Sequence, residues 1–252
     1  MHNYKTHKIT VVSGRENLAT DLERWFIEGK SPKLDVKKSD VWKSDSPIVV
    51  KSEPWSSEFQ DTLRAERLGA RVHRAVAVLD GDITYHTAFE NLAGISCSSV
   101  VYSQIPSPLR LLLVAKMLET LASVHNGEND WVLVHGDAHP RNFVIKGVLD
   151  FQLFDERTEV YLVDLRNSQQ FYPSLYGLNG HFSPLHDLVE LILEVKRTSD
   201  LCASELLALV ATHYLPRVSP LLRPLNLLDR LKDKLENPPK TERREVSSWE
   251  YD

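Results

Sequence analysis

The sequence predicts an α+β fold: a front sheet of five short antiparallel strands with one inserted helix, then a mainly helical half. Two changes of pattern point to it. Up to Phe89 the apolar residues come in short β-like runs between polar turns, interrupted by a single helical stretch at 56–71. From Pro106 onward the apolar spacing becomes that of helices. A third observation sits inside the helical half, where apolar runs at 131–134, 143–145 and 160–163 read as strands around one polar loop.

Taken in order, Ser13-Gly14-Arg15-Glu16 fits a capping box, and Leu18, Leu22, Trp25 and Phe26 then line one face of a helix at about 15–29. Residues 34–36 and 41–43 flank the polar turn 37–40, and 47–51 follows a second turn, giving three short strands. In the helix 56–71, Phe59, Leu63 and Leu68 face the sheet. Strands 72–79 and 83–89, joined at Asp80-Gly81-Asp82, bring the count to five. Ser107 then reads as a helix cap with Pro108 in the first turn, and Leu111, Ala115, Leu118, Ala122 and His125 share a stripe. After the strand cassette come helices near 185–196, 203–214 and 221–235. The pattern divides the chain into a front unit, 1–92, a helical unit, 93–236, and a charged, proline-containing tail, 237–252.

A chain of 252 residues buries a full core, and 42% apolar with 26% charged residues describes an ordinary globular protein. A net charge of −5 argues against a general nucleic-acid surface. Cys97 and Cys202 are too few for a disulfide scaffold and too far apart for a metal knuckle, so they read as reduced thiols in a cytoplasmic protein. The first ten residues are polar and contain no signal-peptide core. No apolar run reaches the roughly 18 residues of a membrane span, which leaves only peripheral contact open.

The polar loop is His135-Gly136-Asp137-Ala138-His139-Pro140-Arg141-Asn142, with Asp137 and Asn142 five apart, and the next strand run delivers Asp164. Phosphoryl transfer from ATP needs such parts: one carboxylate to accept the proton of the attacking hydroxyl, and an amide oxygen with a second carboxylate to hold Mg²⁺ against the phosphates. His135 and His139 have the spacing of two zinc ligands on a helix. Pro140 and the flanking strands oppose a helix there, and Gly136 stands where a zinc hydrolase carries Glu.

The loop resembles that of the kinase-like superfamily, and most closely its small-molecule branch of aminoglycoside and choline kinases, whose pattern is His-Gly-Asp-x-His-x-x-Asn. The resemblance implies a two-lobed, protein-kinase-like fold. It implies Asp137 as catalytic base, Asn142 and Asp164 as metal ligands, His135 as a buried strut and His139 as a loop residue near the phosphates; Arg141, on the same loop, is a further catalytic candidate. Asp164-Leu165-Arg166 is similar to the Asp-Leu-x-Arg run of lipopolysaccharide-core sugar kinases, with the Arg one position earlier. Lys51, at the end of a strand, matches the lysine that contacts the α- and β-phosphates, although a strand-end lysine is also an ordinary solvated one. Its partner is Glu58 or Glu66 on the following helix. Family spacing back from Gly69 favours Glu58.

No Gly-x-Gly-x-x-Gly occurs in the chain. The corresponding turn is Lys37-Lys38-Ser39-Asp40, where Ser39 is the nucleotide-site candidate and the lysines offer charge. Glu90 and Leu92 fall where the family's hinge reads the adenine edge. Asp187 matches an aspartate that braces the catalytic loop from beneath, and also suits the N-terminus of a helix on dipole grounds alone. The implied cofactors are ATP and Mg²⁺, and the implied acceptor is a small molecule or saccharide hydroxyl. The alternatives are a minimal Ser/Thr protein kinase, similar to the RIO or tRNA-modification-associated kinases, and a non-catalytic pseudokinase binding module. Arg141, Arg166, Phe171, Tyr172 and Tyr176 are candidates for the acceptor side.

Overall fold

The computed structural model describes residues 8–19, 48–53, 57–80, 85–99, 105–176, 178 and 182–237. Ile48–Glu53 (β2) shows how the front sheet is built. Its β-branched residues alternate between faces. Ile48 and Val50 join Ala19, Val76, Ala77 and Ala88 in one cluster, while Val49 and Lys51 lie on the opposite face, toward the candidate site. The sheet also contains β1 (Lys8–Val11), β3 (Ala75–Asp80) and β4 (Tyr85–Glu90), in the antiparallel order β1-β3-β4-β2.

The described sheet therefore has four strands, not the five expected. Its outer strand β1 is not predicted by the sequence pattern, because four residues alternating Lys-Ile-Thr-Val carry little signal alone. The expected strands at 34–36 and 41–43 lie outside the described residues, as do residues 20–29 of the N-terminal helix. That helix begins at residue 16, and Glu16 Oε1 accepts from the Gly14 N–H at 3.0 Å.

A β-bulge in β3, between Ala75 and Ala77, inserts Val76 into the ladder. Two consecutive residues, Val76 and Ala77, can then enter the same cluster, while Ala75 packs with Phe59 and Phe89 on the other side. The helix α1 (Ser57–Arg67) covers that side, burying Glu58, Phe59, Thr62 and Ala65 along one stripe. A fully buried glutamate in that stripe has no packing rationale. Gly69, at φ +78, ends the helix in the left-handed conformation that glycine adopts without penalty.

The largest cluster forms around α2 (Ser107–Val124), which buries Leu113, Val114, Met117, Leu118, Leu121 and Val124, each contributing about 1.5–3 kcal/mol relative to exposure. Ser107 is the first helical residue rather than the cap, which is Pro106, and no side-chain cap forms. Two further sheets contribute residues to the same cluster. One runs β10 (Gln169–Phe171), β7 (Trp131–Val134), β6 (Gly127–Glu128), and the other runs β5 (Ile95–Ser96), β8 (Phe143–Ile145), β9 (Val160–Leu162). The helices α3 (Pro184–Thr198), α4 (Ala203–Leu209) and α5 (Leu227–Glu236) complete the element order.

The expected helix at 203–214 turns into a π-helical turn, Val210–Tyr214. The expected helix at 221–235 is broken. Pro224 lacks the N–H that a continuous helix needs, and Asn226 takes φ +50, so a 3-10 segment Pro220–Leu225 precedes α5.

One link between the front sheet and the rest decides the site. Val72 forms a parallel bridge with Leu162, and the Leu162 N–H donates to Arg71 O at 2.9 Å. Residues just past α1 are thereby tied to the strand that leads to Asp164.

Candidate active site

Lys51 and Glu58 meet because β2 places Lys51 on the face that α1 covers. The ammonium donates to Glu58 Oε1 at 2.6 Å, and Asp164 Oδ1 lies 3.4 Å from the same nitrogen. Glu66 is eight residues further along α1, about 12 Å at helical rise. It instead receives Arg15 and the Ala75 N–H, pinning the N-terminal segment to the start of β3.

Asp164 itself has φ +65 and ψ +57. For a residue with a Cβ this costs on the order of 1–2 kcal/mol, and Asp and Asn tolerate it better than other residues. The turn aims its two carboxylate oxygens at two cations, Lys51 and Arg166, the latter at 2.7 Å.

The loop before Asp137 is held from below by buried groups. Asp187, three residues into α3, accepts the His135 N–H at 2.7 Å on one oxygen and the Gly136 N–H at 2.8 Å on the other. His125 Nε2 reaches the same carboxylate at 2.8 Å, and His125 Nδ1 lies 2.6 Å from the Tyr214 hydroxyl. Since a carboxylate only accepts, Nε2 carries the proton, and Nδ1 accepts from the tyrosine. Burial pushes the Tyr214 phenol well above its ordinary range, which keeps that hydroxyl a donor. Asp187, His125 and Tyr214 are all fully buried, so removing one partner leaves a buried polar group unsatisfied, a loss of about 1–3 kcal/mol and more where the group left is the Asp187 carboxylate.

His135 is likewise buried. Its Nε2 donates to Val163 O at 2.9 Å, and its Nδ1 accepts the Asp137 N–H at 3.2 Å, so one ring spans the loop and the residue before Asp164. Asn142 donates through Nδ2 to Asp137 O at 2.8 Å and to Asp137 Oδ2 at 3.3 Å. The Val163 N–H closes the ring of contacts on Asn142 O at 2.8 Å. Asp137, Asn142, Asp164, Lys51, Glu58 and His135 are thus one connected assembly. Arg141 is exposed, and its carbonyl is held by Ser96 Oγ at 3.0 Å. Ser39 lies outside the described residues.

His139 Nε2 lies 3.2 Å from Asp137 Oδ1, and this hydrogen bond is the main reason the Asp137 carboxyl sits below its ordinary range; partial burial opposes it. A depressed carboxylate stays ionised as pH falls, until pH reaches its lowered pKa. If Asp137 is the base, the acidic limb of kcat/KM lies below the usual carboxylate range, and His139→Ala moves that limb upward. An unchanged pH–rate profile in His139→Ala would contradict this coupling.

Val49, His73, Glu90, Leu92 and Val163 line a cleft beside Lys51. The carboxylate of Glu90 is engaged by Lys146 at 3.2 Å, and Leu92 O accepts from the Gly147 N–H at 3.0 Å. The His73 ring stacks on Phe89, with centroids 4.1 Å apart and planes 5° from parallel. Burial, aided by Lys51, pushes its pKa down to about 3, so it stays neutral, and its Nε2 makes no hydrogen bond among the described residues.

Sequence reasoning missed His73, Tyr214, Ser96 and the part His125 plays. His125 closes the α2 stripe as a polar residue among apolar ones, which is the one signal that was available.

The fold is kinase-like, and Lys51, Glu58, His135, Asp137, Asn142 and Asp164 form one connected assembly within it. Among solved structures the chain is similar to WaaP in complex with acyl carrier protein, at 17% identity and a TM-score of 0.57, covering 91% of this chain and 98% of that one. It is also similar to aminoglycoside-3'-phosphotransferase of type VIII, at 15% identity and a TM-score of 0.47, covering 73% and 84%. No family model matches the sequence, and no curated protein matches it.

Proposed function

We propose that the chain is an ATP-dependent phosphotransferase that moves the γ-phosphate to a hydroxyl of a small molecule or saccharide. The observation that carries this reading is the convergence of Lys51, paired to Glu58, with Asp164 at 3.4 Å, while His135 couples the Asp137 loop to the residue before Asp164. In this reading Lys51 orients the α- and β-phosphates, and Glu58 keeps the ammonium from swinging away. The backbone at Glu90 and Leu92 reads the base in the cleft that Val49, His73 and Val163 also line.

Asp137 orients the acceptor hydroxyl and takes its proton late, a task that does not need a raised pKa once the transition state is loose. Arg141 lies exposed on the same loop and in this reading serves the phosphates of the nucleotide. The donor set fits Mg²⁺. Asn142 Nδ2 is committed to Asp137, which leaves Oδ1 as the remaining acceptor of that side chain, and Asp164 is a hard oxygen ligand that already attracts two cations. When bound, the metal neutralises charge on the transferred phosphoryl group.

The saccharide leaning comes from the Asp164-Leu165-Arg166 run. The front unit 1–92 and helical unit 93–236 serve as the two lobes of the reading, and the setting is cytoplasmic. No helix among the described residues is long and apolar enough to cross a membrane.

Calorimetry tests the nucleotide half. ATP with Mg²⁺ binds the wild-type chain, chelation of the metal weakens it, and Lys51→Ala weakens binding while the metal requirement persists. A wild-type chain that binds no Mg·ATP would overturn the reading.

A further inference from the structure

The phosphotransferase reading, on which this inference rests, leaves open what holds the acceptor against Asp137. The segment 182–190 meets the catalytic loop repeatedly. Asp187 takes the His135 and Gly136 N–H groups. Phe182 lies against Gly136 from another side. A Cβ placed on Gly136, which has φ +80, would come within 3.1 Å of Phe182 Cδ1 and Cε1 and 2.7 Å of Asn167 O. The phenyl ring and the carbonyl together occupy the space where a side chain at Gly136 would stand, so only glycine fits. Phe182 nevertheless remains 44% exposed, although it packs on the peptide directly before Asp137. One helical turn on, His186 pairs with Glu190 at 3.2 Å. That hydrogen bond raises the imidazole's pKa most; burial opposes it, and Asp137 is among the carboxylates whose field adds to the rise.

We propose that Phe182 is an acceptor-binding residue: its open face supports the carbon skeleton of the alcohol whose hydroxyl Asp137 addresses, and the His186–Glu190 pair bounds the same subsite. A hydroxyl within reach of Asp137, about 2.6–3.2 Å, carries its carbon atoms into the neighbourhood of Gly136 and hence of the ring resting on it. An aromatic face attracts the C–H side of a ring or chain. An imidazole paired with a carboxylate supplies a donor and an acceptor for further hydroxyls. The carboxylates of Asp137 and Glu190 repel an anionic group placed beside that hydroxyl. The chemistry that satisfies all of these is a neutral polyhydroxylated acceptor with one apolar face.

The test uses the full chain with Mg²⁺, γ-labelled ATP and a panel of neutral methyl glycosides as acceptors. Label released to water without acceptor is measured in parallel. For a glycoside that the wild type phosphorylates, Phe182→Ala should raise the acceptor KM by roughly tenfold or more, the scale of one lost aromatic contact with its buried area. ATP hydrolysis to water should stay within about twofold, and Phe182→Tyr should keep the wild-type KM.

An unchanged acceptor KM in Phe182→Ala overturns the proposal. So does a parallel loss of ATP hydrolysis in Phe182→Ala and Phe182→Tyr, which would make the ring a prop of the loop only. ATP hydrolysis with no glycoside labelled by the wild type overturns the acceptor chemistry and leaves the phosphotransferase reading standing. Absence of any ATP turnover, to water or glycoside, overturns both.

Discussion

Asp137→Asn is expected to lower acceptor phosphorylation by about 10²-fold or more, the usual scale of a general base, while Mg·ATP affinity stays at the wild-type level. The substitution keeps the shape of the loop, because the contacts that define it run through the backbone. Asn142 Nδ2 holds the residue-137 carbonyl, His135 Nδ1 accepts its N–H, and Asp187 grips the two preceding N–H groups. What is lost is the oxygen that accepts a proton. Steady-state transfer to the true acceptor, with calorimetry of Mg·ATP beside it, measures both halves. Turnover at the wild-type rate would show that Asp137 is not the base, and the reading would then rest on fold analogy alone.

Asp164→Asn is expected to cost about 10²–10³-fold in rate, the scale of removing one electrostatic stabiliser from a preorganised site, and unlike Asp137→Asn it should weaken Mg²⁺-dependent nucleotide binding as well. Asparagine is the informative replacement. The residue sits at φ +65, and Asn tolerates the left-handed conformation while Ala adds strain. Asn also retains an oxygen but removes the charge that draws Lys51 and Arg166. An Asp164→Asn variant with wild-type Mg·ATP affinity would contradict the metal assignment.

The residue pattern alone identifies most of the groups that the fold gathers into one assembly. Asp137, Asn142 and Asp164 were legible because each is bounded by short apolar runs, and strands at those bounds follow from β-branched and aromatic residues in three- or four-residue blocks. Lys51 was legible for the same reason, since the alternation of Ile48, Val49, Val50 and Lys51 assigns faces before any partner is known.

The choice between Glu58 and Glu66 rests on the packing, because both lie on α1 and the pairing depends on where β2 crosses it. The same holds for Asp187. Its place near a helix start suited a dipole role equally well, and only the packing of α3 under the loop puts both of its oxygens on the His135 and Gly136 amides. The strand β1 is not legible alone because it is four residues long and depends on pairing with β3, which lies far along the chain, while the expected strands at 34–36 and 41–43 fall outside the described residues. His73, Tyr214 and Phe182 were invisible for a related reason. A buried polar group, or a half-exposed ring, acquires meaning from neighbours distant in sequence, and periodicity reports only which face a residue occupies.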